Sequence, residues 1–308
     1  MINNLHTLIF SENFKNKVEK IFVTLSIVSF LIHLLLILFN QYGLIDFPDN
    51  NLLNNPIVAI YTPFSFILVY EVFLLIFYLP KSISQYIRKQ YEIITLIIVR
   101  RIFKDIANID LSSNWFYEKY DLQLTYDLVS TVALFFMIYL FNYYNTKNKS
   151  SISITNRSEN LNTFIKRKKT IALFLFPILI CLALSSLYKW IYVEFISFDY
   201  VFYSIQDLNE LFFNEFFTVL IMADVLLLLI SLYQTDKFYE ILRNSGFIIS
   251  TILIRLSFSV DGFLNNALIV SSVLYGLLML LINIKFEKIN LKYLKEIELE
   301  ESESEKII

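Results

Sequence analysis

The sequence predicts an all-α polytopic membrane protein, with eight transmembrane helices arranged as two parallel four-helix repeats. Three observations lead there. Apolar segments of about 20 residues, the length that crosses a hydrocarbon core, recur along the chain. The loops between them alternate between basic and acidic. An acid inside one apolar run is followed, twice and at similar spacing, by an arginine inside another: Glu71 then Arg100, and Asp224 then Arg255.

Composition sets the class. The chain is 56% hydrophobic with a mean hydropathy of +0.58, whereas soluble domains are about 45–50% apolar even with glycine counted. A net charge of −2 supplies no global basic field, so nucleic acid is not an expected partner. The single cysteine, Cys181, precludes an intramolecular disulfide or a cysteine-cluster metal site, and its apolar surroundings suggest a small core residue. Only His6 and His33 are present, which argues against a histidine-rich metal or haem site. No cofactor and no metal is expected. P-loop, HExxH, GxSxG and TVGYG patterns are missing, as is any nucleophile–base constellation, so an enzyme is not expected. No helix carries a basic residue at every third position, as a voltage sensor would.

The predicted spans are about 18–40, 57–79, 89–109, 124–144, 170–192, 212–234, 239–260 and 264–285. No small-residue cleavage site follows the first apolar run, which is therefore read as a retained span. The loops test the count. Lys15, Lys17 and Lys20 precede or open the first span, and the next loop carries Asp46 and Asp49 with no basic residue. Lys81, Arg88 and Lys89 follow, then Asp110, Glu118 and Asp121 against Lys119. The fifth loop is strongly basic, from Lys147 to Lys169, and the sixth holds Glu194, Asp199, Asp207 and Glu210. Lys237 and Arg243, then Asp261, then Lys285, Lys288, Lys292 and Lys295 complete the alternation. By the positive-inside rule this places both termini in the cytoplasm, with the chain multi-pass in the plasma (inner) membrane. The expected organisation is a cytoplasmic segment 1–17, a first membrane unit 18–145, a basic cytoplasmic linker 146–169, a second unit 170–286 and a cytoplasmic tail 287–308 whose acidic run is solvated.

The halves resemble each other. An offset of 153 places Glu71 on Asp224; an offset of 155 places Arg88 on Arg243, Thr95 on Ser250, Arg100 on Arg255 and Phe103 on Phe258. An offset of 141 places Val129-Ser130-Thr131-Val132 on Val270-Ser271-Ser272-Val273 and Asn142 on Asn283. Apolar runs align easily by chance, so the polar coincidences carry the argument. Four helices per unit is an even number, so both units enter the membrane from one side, as in a parallel repeat.

Charges at membrane depth are costly and normally pair or line a water-filled path. Eight residues separate Glu71 from Leu79, roughly 12 Å at 1.5 Å per residue. Eleven separate Lys89 from Arg100, roughly 16 Å. A Glu71–Arg100 pair is therefore expected, with Asp224 and Arg255 matching it. Arg101 and Lys104 add cations that Glu71 alone cannot satisfy, so neighbouring acids, an aqueous vestibule or an anionic partner is implied; the alternative is that the third span ends near Val99 and these cations sit at the outer interface. His33, inside the first span, is read as a helix-packing residue before a proton relay. Asp127 and Glu215, near helix starts, suit the helix dipole without further chemistry. Pro177, inside the fifth span, should loosen its hydrogen-bond ladder.

The expected function is a channel or transporter for an ion or small solute, with anions favoured, and acid–arginine pairs lining a path at the repeat interface. The competing reading is a non-catalytic membrane subunit of an envelope or defence complex, its charges purely structural. The expected partners are the lipid bilayer and either a second copy of the chain or other membrane subunits.

Overall fold

The computed structural model describes residues 9–43, 56–107, 119–150, 159–195, 205–232, 238–260 and 262–305. Eight long α-helices run through them, and no strand occurs among the described residues. They are α1 Glu12–Gln41, α2 Tyr61–Tyr78, α3 Ile83–Ala107, α4 Lys119–Ser150, α5 Glu159–Phe195, α6 Ile205–Leu232, α7 Phe238–Ser257 and α8 Gly262–Glu305. Each covers one of the eight predicted segments. An all-helical chain is what a bilayer demands, because a helix satisfies its own backbone polar groups. Four helices contain stretches long and apolar enough to cross a membrane: Glu12–Gln41, Asp121–Lys147, Glu215–Leu232 and Gly262–Asn290. That is the character of a membrane-embedded protein. A shorter apolar helix, Thr62–Tyr78, lies within α2.

Local chemistry sets the ends. Ser11 caps α1, its Oγ accepting from the Phe14 amide at 3.1 Å, with Glu12 in the first turn facing the positive end of the dipole. Beyond α1, Gly43 takes a φ of +66°, the left-handed geometry that ends a helix cheaply only at glycine. A 3₁₀ turn, Pro56–Ile60, leads into α2. Pro63 sits in the first turn of α2, where a missing amide hydrogen costs no ladder bond. α5 runs through Pro177 despite the hydrogen bond that proline removes.

Three expectations change in detail. α4 continues to Ser150 and α5 begins at Glu159, so the ends of the basic linker are helical. α8 does not fade at the acidic run. It stays helical to Glu305 over 44 residues, with Lys292 and Glu296 paired at i,i+4. Cys181 is exposed rather than in the core, because α5 packs through Ala172 and Leu175 and leaves Phe174, Ile178 and Ile180 outside.

By its contacts the chain divides into two compact units, Met1–Thr131 with Ile165–Ala223, and Val132–Phe164 with Asp224–Ile308. In the first, aromatic side chains join α1 to α2: Phe14 to Phe73 and Phe22 to Tyr70, each with ring centroids 6.2 Å apart. The Tyr70 hydroxyl donates to Glu19 at 3.0 Å. Phe73 also meets Phe176 of α5, and the buried Lys168 amine donates to the Lys81 carbonyl at 2.8 Å. In the second unit α7 and α8 pack tightly. Ser250 Oγ donates to the Ser272 carbonyl at 2.7 Å and Asn265 Nδ2 to the Ser257 carbonyl at 2.6 Å. Phe141 of α4 lies on Phe247 at 5.7 Å.

Glycine 246 permits the closest α7–α8 approach. A Cβ there would fall 2.5 Å from Met279 Cγ and 3.1 Å from its Cβ, too near the base of that side chain for a rotamer change to relieve. Gly246→Ala is expected to cost roughly 1–3 kcal/mol as overpacking. The check is thermal unfolding of detergent-solubilised protein, with Met279→Ala recovering part of the loss in the double variant. An unchanged midpoint in Gly246→Ala would show that the helices are not in this register.

Candidate functional site

The sequence-predicted acids and arginines fall into separate groups. In the first unit, α2 presents Glu71 and α3 presents Arg100. Arg100 Nη2 lies 2.7 Å from Glu71 Oε2, and the two side chains are only 11% and 4% exposed. The predicted pair exists. At Glu71 Oε2 the contact is a close ion pair that falls short of well-aligned hydrogen-bond geometry. Arg100 Nη1 and Nη2 are buried donors with no hydrogen-bond partner among the described residues. A buried guanidinium has five N–H donors, more than one carboxylate can accept.

One residue further along α3, Arg101 is engaged differently. Its Nε donates to Asp127 Oδ2 at 2.5 Å and its Nη2 to Oδ1 at 2.7 Å, a fork-on-carboxylate geometry. Gln123 Nε2 adds a third bond to Oδ1 at 2.7 Å. Asp127 is fully buried. Of the three ways to satisfy the surplus cations, a neighbouring acid serves for Arg101. Asp127 is the residue that sequence reasoning undervalued, and Gln123 went unnoticed. The available signal was their i,i+4 spacing near a helix start, opposite a helix carrying excess positive charge. Asp105 and Asp121 are also buried on α3 and α4, and both oxygens of Asp121 have no hydrogen-bond partner. The side chain of Lys104 lies outside the described residues.

In the second unit Asp224 and Arg255 lie on α6 and α7. Asp224, 2% exposed on α6, meets the Thr251 hydroxyl of α7 at 3.5 Å. Arg255 sits one turn beyond Thr251 on α7, and the Thr251 hydroxyl also donates to the Ile248 carbonyl at 2.9 Å. His33 behaves as a packing residue: its Nδ1 and the Thr62 hydroxyl form a short hydrogen bond that ties α1 to the start of α2.

Among the described residues no group of three or more His, Cys, Asp and Glu side chains converges as a metal site would. Compared with known proteins, the chain matches no family model, no curated protein and no solved structure.

The Arg101–Asp127 pair yields a stability test. Arg101→Gln strips a fully buried carboxylate of its charged partner, and is expected to cost about 3–5 kcal/mol. Adding Asp127→Asn removes the stranded charge and should recover most of that loss. Thermal unfolding of the two singles and the double, in one detergent, closes the cycle. Additive losses would mean the two groups do not interact.

Proposed function

We propose that the chain is an eight-span, multi-pass channel or transporter for an ion or small solute, with anions favoured. In this reading it sits in the plasma (inner) membrane with both termini cytoplasmic, and its spans form two parallel four-helix repeats. The supporting observation is the Glu71–Arg100 pair with its open guanidinium donors at membrane depth. An anion arriving at Arg100 competes with an internal carboxylate for one cation. The guanidinium is neutralised before and after the exchange, and the displaced Glu71 carboxylate escapes being a bare charge in low dielectric by taking up a proton as the anion binds. Glu71 then acts as the resident counter-ion and Arg100 as the selectivity group. Asp224 and Arg255 are the corresponding groups of the second repeat. Loop charge alternation supports the orientation and the count of eight.

The second reading is a non-transporting membrane subunit. The fully engaged Arg101–Asp127–Gln123 group and the His33–Thr62 bond favour it, since both spend their polar capacity on holding helices together.

Flux separates the two. Purified protein in liposomes is assayed with dyes for proton, potassium and chloride movement. Chloride movement is expected from wild type, with at least about a tenfold loss in Arg100→Gln and Glu71→Gln. The double variant Glu71→Gln/Arg100→Gln should stay monodisperse and inactive, because removing both charges spares the fold but not the path. Folded wild type that moves no ion, with a double variant as stable as wild type, would establish the subunit reading instead.

A further inference from the structure

Arg100 Nη1 and Nη2 and Glu71 Oε2 are all closed to solvent, with Nη2 2.7 Å from Oε2. An anion therefore has no place beside the carboxylate. It gains the guanidinium only by taking the carboxylate's position. On the transport reading proposed above, on which this point rests, substrate binding is an exchange of one anion for another. The consequence falls on Glu71, which must part from its cation while still buried.

The surroundings offer Glu71 no second cation. Besides Arg100, α3 carries Arg88, Lys89 and Arg101, and each already meets a carboxylate. Glu92 lies 3.3 Å from Arg88 Nε and 2.6 Å from Lys89 Nζ, and Asp127 accepts from Arg101. Lys89 also sits over the Tyr78 ring, 5.1 Å from its centroid, so it acts on Glu71 only from longer range. From α1, Glu19 accepts from the Tyr70 hydroxyl, His33 bonds Thr62, and Lys15 pairs with Glu12. From α5, Lys168 donates to the Lys81 carbonyl. Among the described residues Arg100 alone forms an ion pair with Glu71.

A displaced carboxylate then has two fates. Left ionised, it is an unpaired buried charge, the costliest arrangement available. Protonated, it is neutral and carries a hydrogen-bond donor of its own. We infer that each anion bound at Arg100 is accompanied by one proton bound at Glu71, so that the protein is a proton–anion symporter rather than an anion channel. The step balances. The contact between Arg100 and Glu71 is given up, an O–H bond forms on the carboxyl with a proton drawn from the adjoining water, and the guanidinium N–H groups turn to the anion. Before the step the site holds one carboxylate and one guanidinium. After it, the site holds a neutral acid, a guanidinium and the anion. The net charge is zero in both states when the anion is monovalent, whereas a dianion would leave the site negative. Release runs in reverse: Glu71 loses its proton, reclaims Arg100 and expels the anion. An amide cannot reclaim the guanidinium, which is why Glu71→Gln is expected to bind the anion yet not turn over.

The test places the purified full chain in liposomes loaded with a pH dye and imposes an inward chloride gradient with no potassium ionophore. Wild type is expected to acidify the lumen above the protein-free rate, with one proton per chloride, and valinomycin with potassium should not speed it. Chloride movement that needs valinomycin and leaves the lumenal pH unchanged would overturn the coupling while leaving the transport reading intact. No chloride movement under either condition would remove both. In detergent, chloride affinity read from thermal stabilisation should rise about tenfold for each unit fall in pH, where Glu71 is ionised in the free protein. Glu71→Gln should bind chloride with no pH dependence. An unchanged slope in that variant would show that another group takes the proton, against the assignment to Glu71. If Glu71→Gln does not purify, wild type in weakly buffered detergent solution carries the test. One proton should be taken up per chloride bound, and chloride binding without proton uptake refutes the inference.

Discussion

Burying an arginine and a glutamate side by side is permissible only if each neutralises the other, and the Glu71–Arg100 contact is where this constraint acts most directly. The idealised cost of moving one ion into a medium of low dielectric is of order 20 kcal/mol, several kcal/mol after relaxation. Helices α2 and α3 therefore cannot choose their register freely: rotation of either by a residue would strand a charge. The neighbouring elements follow from that registration. Val72, Leu75, Ile76 and Leu79 of α2 and Ile94 and Ile98 of α3 are buried with the pair. The outer face of α2 is then left for the aromatic packing of α1, through Phe14, Phe22 and Tyr70.

The two arginine-bearing helices solve the same problem in different ways. On α3 each characterised arginine has a carboxylate within reach: Glu92 for Arg88, Glu71 for Arg100 and Asp127 for Arg101. On α7, Arg243 donates to the uncharged amide oxygen of Asn244, and Thr251, one turn before Arg255, reaches Asp224. A cation with no carboxylate at contact range is tolerated where solvent or headgroups can reach it.

The exposed surface has a separate logic. On α1, Ile21, Ile27, Leu31, Ile32 and Leu35 are about half exposed, and on α4 Val132 is 72% exposed. Such continuous apolar faces would drive association in water but are the solvent-facing side in lipid. Apolar character therefore does not report burial in this protein. Cys181 illustrates it: an apolar neighbourhood in the sequence became an exposed position on α5. Burial is signalled instead by polar and small residues, Ser250, Ser257, Ser272, Asn265 and Gly246, which sit where α7 meets α8.

Length and hydropathy by themselves determined where the helices run, because a membrane segment must be apolar over about 20 residues and must hydrogen-bond to itself. They also marked Glu71, Arg100 and Asp224 as buried groups, since an isolated charge in an apolar run has no other sound explanation. Rise per residue was enough to foresee the Glu71–Arg100 contact, as both depths are measured from the same membrane edge. Tertiary structure decided what depth cannot: which direction each side chain faces. Helical rotation turned Asp127 inward to Arg101 and brought Thr251 within reach of Asp224. Rotation depends on how Gly246 and Met279, or Phe73 and Phe176, interlock, and that shape information is spread over residues far apart in the chain. Hydropathy orders a sequence along the membrane normal; only side-chain packing orders it around the helix axis.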